Sequence, residues 1–234
     1  MVLILFDIDG TILSTNGAGR RAVTSAISSV LGRNVDIADV SFSGRTDLAI
    51  MADILDISGT DVSDDMLDAC ISAYRNALES TLRAEDIVVY PGVRKLISRL
   101  AARSGVHLGL VTGNLEQTAY CKLRLAGLDA HFRVGAFGSD HADRNRLPEL
   151  AARRAAQAFG RPFRADRTLV IGDTVHDIAC SRYFGARSVA VCTGLTDRET
   201  LDRAAPDLLI ESMHPGTEID RLVESLLETG SPAA

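Results

Sequence analysis

A pair of aspartates lies at the end of the first apolar stretch of the chain. Residues 2–6 read VLILF and residues 7–11 continue as DIDGT, which places Asp7 and Asp9 one residue apart. An unbroken apolar run of this length is typical of a strand buried on both faces. The strand therefore delivers two carboxylates to one place, and this arrangement favours a bound cation.

Polar residues follow two further apolar runs in the same way. The run that begins at residue 106 ends in TGN, and the run 168–171 is followed by GDTVHD. Ligands of an open parallel sheet bind outside the carboxyl ends of its strands, so these side chains should meet the first pair at one edge of the sheet. The residues concerned are Asp7, Asp9, Thr112, Gly113, Asn114, Asp173 and Asp177.

Carboxylates crowded at one edge repel one another, and they would take up protons unless a cation neutralised them. Mg²⁺ prefers oxygen ligands and usually shares its site with a phosphate. The pattern therefore predicts a Mg²⁺ site beside a phosphate group. The candidate metal-binding residues are Asp7, Asp9, Asp173 and Asp177.

From residue 91 onward, strand-like and helical segments alternate along the chain. This alternation predicts an α/β fold with helices on both faces of a parallel sheet. Asn114 is expected to cap a helix that runs to about residue 126, with Gln117 in the capping-box position. The predicted strands are 2–6, 106–111, 133–137, 168–171 and 188–192, and the other predicted helices lie between Gly92 and Gly105 and near 147–159 and 178–184.

Residues from about 15 to 89 follow a different pattern. Apolar residues recur at helical spacing over 18–31, 46–55 and 63–82, and no convincing buried strand lies between these segments. The pattern predicts an all-helical domain inserted after the first strand. The expected division is a sheet domain over 1–14 and 90–228, a helical domain over 15–89 and a disordered tail over 229–234.

Bulk composition excludes several classes of partner. The chain has 234 residues and a net charge of −6, so no basic field attracts nucleic acid or anionic lipid. Its four cysteines are too widely spaced for a CxxC pair and too few for a disulfide framework, which is typical of a reducing cytosol. No apolar run approaches the roughly 18 residues of a membrane span. A cytoplasmic protein is therefore expected, and the predicted phosphate site makes a small phosphorylated metabolite its expected partner.

The motifs DIDGT, VTGN and IGDTVHD, in this order on successive strand ends, resemble three motifs of the haloacid dehalogenase superfamily. The resemblance covers essentially the whole chain and is to the phosphatase branch that includes phosphoglycolate phosphatases. It implies a three-layer Rossmann-like core with an α-helical cap domain inserted after the first strand. It also implies a Mg²⁺-dependent phosphatase that hydrolyses a small phosphate monoester.

The resemblance gives the matched residues their expected roles. Asp7 would be the nucleophile that forms an aspartyl-phosphate, and Asp9 would serve as general acid and then as general base. Thr112 would donate a hydrogen bond to the phosphoryl oxygens, assisted by the backbone near Gly113 and Asn114.

Further residues are expected to hold the metal. Asp173 would bind Mg²⁺ together with the Asp7 carboxylate and the Asp9 backbone carbonyl, while Asp177 would support this shell. Phosphoryl transfer needs mainly positioning and charge neutralisation, which a metal and a fixed cation provide.

The family also places a lysine or arginine before the strand that carries the last motif. The chain has no lysine beyond Lys122, so the candidates are Arg144 and Arg146 in HADRNRLPEL. Arg144 is favoured because relatives with an arginine here tend to show an Asp-Arg pair a few residues before the helix. An arginine fork can hold a phosphate as well as a lysine does.

The helical domain offers one candidate contact to the rest of the substrate. Arg45, in SFSGRTDLAI, follows Gly44 and precedes a predicted helix, so it is placed to bind a substrate carboxylate or a second phosphate. The alternative is an exposed arginine in an ordinary turn before a helix.

Other activities of the superfamily are weighed on the same residues. Asp9 argues against a dehalogenase, and the absence of a lysine before Lys95 argues against a phosphonatase that uses a cap lysine. A sugar-phosphate mutase of the β-phosphoglucomutase type remains an alternative. A non-catalytic sensor of phosphorylated metabolites is disfavoured because the acidic set is intact.

Overall fold

The strands of the protein form one parallel sheet and one short antiparallel ribbon. The computed structural model describes residues 1–214 and 218–228. Within these residues the strands are β1 (Val2–Phe6), β2 (Leu13–Ser14), β3 (Val88–Val89), β4 (Val106–Thr112), β5 (Gly135–Phe137), β6 (Thr168–Gly172), β7 (Arg187–Val191) and β8 (Leu208–Ile210).

The first strand lies near the centre of the parallel sheet. The strand order is β5-β4-β1-β6-β7-β8, and every neighbouring pair is parallel. Phe6 is level with Leu110 of β4 and with Ile171 of β6. After β1 the chain builds β4 and β5 on one side and then β6 to β8 on the other. The order therefore reverses beside β1, where ligands of open α/β sheets bind.

The helices, in chain order, cover the sheet or form a separate helical segment. Within the described residues they are α1 (Ala18–Leu31), α2 (Asp47–Ile57), α3 (Asp64–Thr81), α4 (Val93–Ala101), α5 (Glu116–Leu125), α6 (Leu147–Phe159), α7 (Val175–Phe184), α8 (Arg198–Arg203) and α9 (Glu218–Glu228).

Side chains of β1 alternate between the two faces of the sheet, and all are buried. Ile4 and Phe6 belong to the apolar cluster that includes residues of α4, α5 and α9. Leu3 and Leu5 belong to the cluster that includes residues of α6. Each such side chain contributes about 1.5–3 kcal/mol when buried. This burial fixes the position of β1 within the sheet, and it therefore also fixes the positions of the two aspartates that follow the strand.

The predicted α/β fold is confirmed, and several element bounds agree with the sequence pattern. Helices α1 and α6 have the bounds that the apolar spacing predicts. The sequence prediction omitted three elements, α8, β8 and α9. Of these, β8 is the edge strand of the sheet next to β7. The expected tail over 229–234 lies outside the described residues.

Helices α1, α2 and α3 enclose an apolar cluster of their own, which includes Ile27, Met51 and Tyr74. Two short segments on either side of these three helices pair as β2 and β3, an antiparallel ribbon of two residues each. The division into two domains stays a prediction. No helix among the residues that the structure describes is long and apolar enough to cross a membrane.

The turn before α2 lies directly against the carboxyl end of β4. The Asp47 amide donates to the Gly113 carbonyl (2.7 Å), and the Thr46 hydroxyl donates to the Ala142 carbonyl (2.9 Å). A Cβ atom at Gly113 would lie 2.0 Å from the backbone oxygen of Arg45. Glycine at 113 therefore lets the two backbones approach and seats the helical segment on the sheet.

We expect Gly113→Ala to lower the free energy of unfolding by about 1–3 kcal/mol, because the added methyl group must displace a backbone rather than a flexible side chain. Urea denaturation measures this change. Gly19→Ala is the matched control. Gly19 lies in α1, and a Cβ atom added there would have no neighbouring atom closer than 3.7 Å. That variant should gain about 0.5–1 kcal/mol. Equal stability of Gly113→Ala and the wild type would contradict the close approach of the two backbones.

Candidate active site

The polar residues that follow β1, β4 and β6 meet around one cavity of about 380 Å³. The cavity lies between the sheet and the helical segment, so residues from both line it. Of the residues predicted from the sequence, those that line it are Asp7, Asp9, Arg45, Thr112, Gly113, Asn114, Arg144 and Asp173, while Asp177 lies buried beneath.

Three of the predicted carboxylates form a buried cluster. Asp7, Asp173 and Asp177 each offer one ligand atom within 4.8 Å of the others. Their exposed fractions are 5%, 3% and 2%. Oxygen ligands at this separation fit a hard divalent cation such as Mg²⁺.

The crowding of these carboxylates changes how readily they ionise. Burial raises the pKa of Asp173 to about 8, and the nearby charges of Asp177 and Asp7 add to the shift. Burial likewise raises the pKa of Asp7 to about 6, although the Arg144 guanidinium opposes the rise. A cation bound among the three would favour their ionised forms.

Arg144 is the cation that the structure places at this cluster. Its Nη2 lies 3.1 Å from Asp7 Oδ2 and 2.5 Å from Asp177 Oδ1. Its Nη1 donates to the backbone carbonyl of Gly44 in the helical segment (3.2 Å). The carboxylates raise the pKa of Arg144 well above its ordinary value, although burial opposes them. Arg146, the other candidate, lies over the ring of Tyr183 at 5.4 Å instead.

One donor of Arg144 has no partner among the described residues. Its Nε is buried and makes no hydrogen bond. Arginine donates in a planar fork that matches a phosphate or carboxylate. The Arg144 side chain lines the cavity next to Asp7, so its positive charge is available to an anionic ligand there.

Asp173 and Asp177 are held in place by the loops around them. Thr11 donates to Asp173 Oδ1 (3.0 Å), and Cβ atoms at Gly10 and Gly194 would lie within 2.5 Å of the Asp173 carboxylate. The Asp177 carboxylate accepts hydrogen bonds from the amide and the hydroxyl of Thr174, the N-cap residue of α7. The capping box thus orients Asp177 toward Arg144.

Asp9 lies at the mouth of the buried cluster and has different partners. Its Oδ2 accepts from Asn114 Nδ2 (2.8 Å) and from Lys122 Nζ (2.6 Å). Asn114 Nδ2 also donates to the Thr112 hydroxyl (2.8 Å). The Thr112 hydroxyl in turn bonds to Asp7 and lowers its pKa. The ends of β1 and β4 are therefore linked through side chains.

The prediction that Asn114 caps α5 is wrong. The residue before α5 is Leu115, and no side chain of the N-cap residue caps the helix. Asp47 from the helical segment accepts the Leu115 amide instead (2.8 Å), which satisfies a donor at the helix start from across the cavity. Asn114 is thereby free to bond to Asp9. Burial raises the pKa of Asp47 to about 6, against the lowering effect of Lys122.

Arg45, the predicted substrate contact, lines the cavity, and His176 lies close to the neighbouring Gly44. The Arg45 guanidinium pairs with Asp53 of α2, so its role toward a substrate stays a prediction. His176 packs against Gly44, where an added Cβ would lie 2.5 Å from the imidazole. Burial lowers the pKa of His176, and the charge of Arg144 adds to this.

Sequence reasoning missed Lys122 and Asp47. Lys122 is one of only two lysines in the chain, and it lies two turns into α5. Helical side chains lean toward the N-terminus of their helix, so this lysine reaches back to the strand ends. The direction of a side chain on a predicted helix could therefore have indicated that Lys122 lies near the strand ends. Asp47 carried no such signal, because its partner Leu115 is far away in sequence.

Comparison with known proteins is consistent with this geometry. A family model described as haloacid dehalogenase-like hydrolase matches residues 1–185. The pyrophosphatase PpaX of Anoxybacillus flavithermus is 27% identical over 211 residues, which cover 90% of this chain and 92% of that protein. The phosphoglycolate phosphatase of Synechococcus elongatus is 32% identical over 125 residues, 53% of this chain and 55% of that protein.

A solved structure shares the fold over nearly the whole chain. The β-phosphoglucomutase of Clostridium difficile superposes with a TM-score of 0.70 and 18% identity, covering 98% of this chain and 99% of that one. This likeness establishes the fold alone, and the family model establishes the family. The chain belongs to the haloacid dehalogenase-like hydrolase family.

Proposed function

We propose that this protein is a Mg²⁺-dependent phosphatase that hydrolyses a small phosphate monoester through an aspartyl-phosphate at Asp7. The observation that carries the proposal is the buried set of Asp7, Asp173, Asp177 and Arg144. Such a set provides a nucleophile, oxygen ligands for a cation and a fixed positive charge within a few ångströms. Phosphoryl transfer requires little else from the protein.

In the first step an Asp7 carboxylate oxygen attacks the phosphorus atom, and the bond from phosphorus to the leaving oxygen breaks. Asp9 gives its proton to that leaving oxygen, so the product departs as a neutral alcohol. In the second step water attacks the phosphorus of the aspartyl-phosphate and loses its proton to Asp9. Inorganic phosphate is released and the Asp7 carboxylate is restored.

Binding of the phosphoryl group falls to the residues around Asp7. Thr112, with the backbone at Gly113 and Asn114, is placed at the end of β4 to donate to phosphoryl oxygens. The guanidinium of Arg144, which lines the cavity next to Asp7, supplies a fixed positive charge. Donors fixed in a dry site stabilise the charge that spreads over the transferring group.

The acidic residues fit Mg²⁺ as the cation, with Asp7, Asp173 and the Asp9 carbonyl as ligands and Asp177 in support. When bound, Mg²⁺ would neutralise the carboxylates and the phosphate together, so that one anion can approach another. Arg144 contributes part of this neutralisation by itself, through its contacts to Asp7 and Asp177.

The size of the cavity and the named relatives support a small substrate. A cavity of about 380 Å³ is at the small end of ligand pockets. Relatives are named pyrophosphatase and phosphoglycolate phosphatase, so phosphoglycolate-like monoesters and pyrophosphate are the compounds to compare first. Arg45 at the cavity wall is the proposed contact for the second anionic group of such a substrate. The cytoplasmic location stays a prediction.

We expect Mg²⁺-dependent release of phosphate from p-nitrophenyl phosphate and from small alkyl phosphates, and we expect Asp7→Asn to abolish it because an amide is not a nucleophile. Asp202→Asn, an exposed aspartate on α8, is the matched control. A denaturing quench with ³²P-labelled substrate should leave label on the wild type but not on Asp7→Asn.

Two outcomes would point to other functions. A requirement for a sugar bisphosphate, with transfer rather than release of phosphate, would identify a mutase. Absence of turnover with every compound, alongside binding of phosphorylated metabolites, would identify a sensor. Equal hydrolysis by Asp7→Asn and the wild type would refute the aspartyl-phosphate route.

Arg144→Met should lower kcat/KM by about 10²–10³, because it removes a buried donor that stabilises the transferring group. Arg144→Lys should retain part of the activity, since it keeps the charge but loses the fork. Arg146→Met is the matched control and should stay within about twofold of the wild type, because it contacts Tyr183 outside the cavity. A larger loss in Arg146→Met than in Arg144→Met would reverse the assignment.

Mg²⁺ should stabilise the wild type against heat and should not stabilise Asp173→Asn. At roughly 100 times its Kd, a ligand adds about 2.7 kcal/mol, or about 5–10 °C in Tm for a chain of this size. In EDTA near pH 7, Asp173→Asn should melt several degrees above the wild type. Burial raises the pKa of Asp173 to about 8, so this carboxyl group must take up a proton when the metal-free chain folds, and the amide avoids that cost. Asp202→Asn should behave as the wild type does. A variant that melts lower in EDTA would contradict repulsion within the cluster.

A further inference from the structure

Lys122 is a buried cation that the proposed roles do not use. Its side chain is 3% exposed. Nζ lies 2.6 Å from Asp9 Oδ2 and also donates to Asn114 Oδ1. The residue lines the same cavity as Arg144 but pairs with Asp9, so the site holds a second cation with its own carboxylate partner.

A buried ammonium is costly unless charge and hydrogen bonds compensate it. Here the compensation comes from Asp9, the Asn114 side chain and the nearby charge of buried Asp47. Lys122 sits on α5, whose start is bonded to Asp47 and to the hydroxyl of Ser139. The ammonium is therefore fixed relative to the end of β4 rather than free to follow a substrate.

These contacts restrict only one oxygen of Asp9. Oδ2 accepts from both Lys122 Nζ and Asn114 Nδ2, whereas no described residue donates to Oδ1. Two donors on one oxygen prevent the carboxyl group from rotating about its Cβ–Cγ bond. The other oxygen, which must exchange a proton with the substrate, is left available in the cavity that Asp9 lines.

We propose that Lys122 is a positioning residue for proton transfer at Asp9: it anchors one carboxyl oxygen so that the other meets the leaving oxygen of the substrate. The inference rests on the proposed function of Asp9 as general acid and base. Lys122 itself does not touch the reacting atoms in this scheme. Its loss therefore weakens the step in which the leaving oxygen takes a proton, and leaves binding of the substrate largely intact.

The test compares two substrates that differ in their need for that proton. p-Nitrophenolate departs without protonation, whereas an alkoxide requires it. Lys122→Met should lower kcat/KM for an alkyl phosphate by about 10²-fold, the size of effect that a misplaced catalytic group produces. The loss for p-nitrophenyl phosphate should be under about tenfold, because kcat/KM reports the steps up to departure of the leaving group.

The ratio of the two kcat/KM values is measured on one preparation, so it does not depend on the fraction of variant that folds. Lys122→Arg, which keeps a cation near Asp9, should give an intermediate ratio. Lys95→Met changes the other lysine of the chain, which is exposed, and should give the wild-type ratio.

The outcomes separate the inference from the proposed function. A wild type that hydrolyses neither substrate would refute the proposed function and the inference with it. An active wild type whose Lys122→Met variant loses the same factor on both substrates would overturn the inference alone, since a merely structural lysine affects both equally. A rise in KM with kcat unchanged would also overturn it, because Lys122 would then bind substrate directly.

Discussion

The burial of Asp7, Asp173 and Asp177 beside one arginine is the constraint on which the rest of the site depends. Three carboxylates removed from water cost free energy that their single guanidinium neighbour offsets only in part. The raised pKa values of Asp7 and Asp173 express that imbalance. Such a cluster persists because the surrounding fold fixes it, with β1 and β6 buried on both faces of the sheet.

The helical segment is held to the sheet by bonds that pass through the same cluster. The Gly44 carbonyl accepts from Arg144, which also pairs with Asp7, so one side chain contacts the end of β1 and the helical segment at once. Asp47 reinforces the contact by accepting a hydrogen bond from the amide of Leu115, the residue before α5. The position of the helical segment and the orientation of Arg144 are therefore coupled: a displacement of one changes the hydrogen bonds of the other.

The two cations divide the site into two halves with different chemistry. Arg144 lies among the buried carboxylates and neutralises part of their charge. Lys122 pairs with Asp9, which is more exposed than the buried carboxylates. Asn114 and Thr112 connect the two halves, because their side chains bond to each other. Asn114 also bonds to Asp9 and Thr112 to Asp7, the two aspartates that follow β1. Proton transfer and charge neutralisation can thus be arranged independently on one strand end.

The sequence by itself determined the parallel sheet, the bounds of α1 and α6 and the meeting of the acidic motifs, because apolar periodicity is a local property and strand ends share one edge. Only the tertiary structure decided which of Arg144 and Arg146 reaches Asp7, what Asn114 bonds to and which carboxylate Lys122 pairs with. These outcomes depend on partners far away in sequence, such as Lys122 and Asp9, which are 113 residues apart. Side-chain contacts over such separations leave no period in the chain, so they exist only once the backbone has brought the elements together.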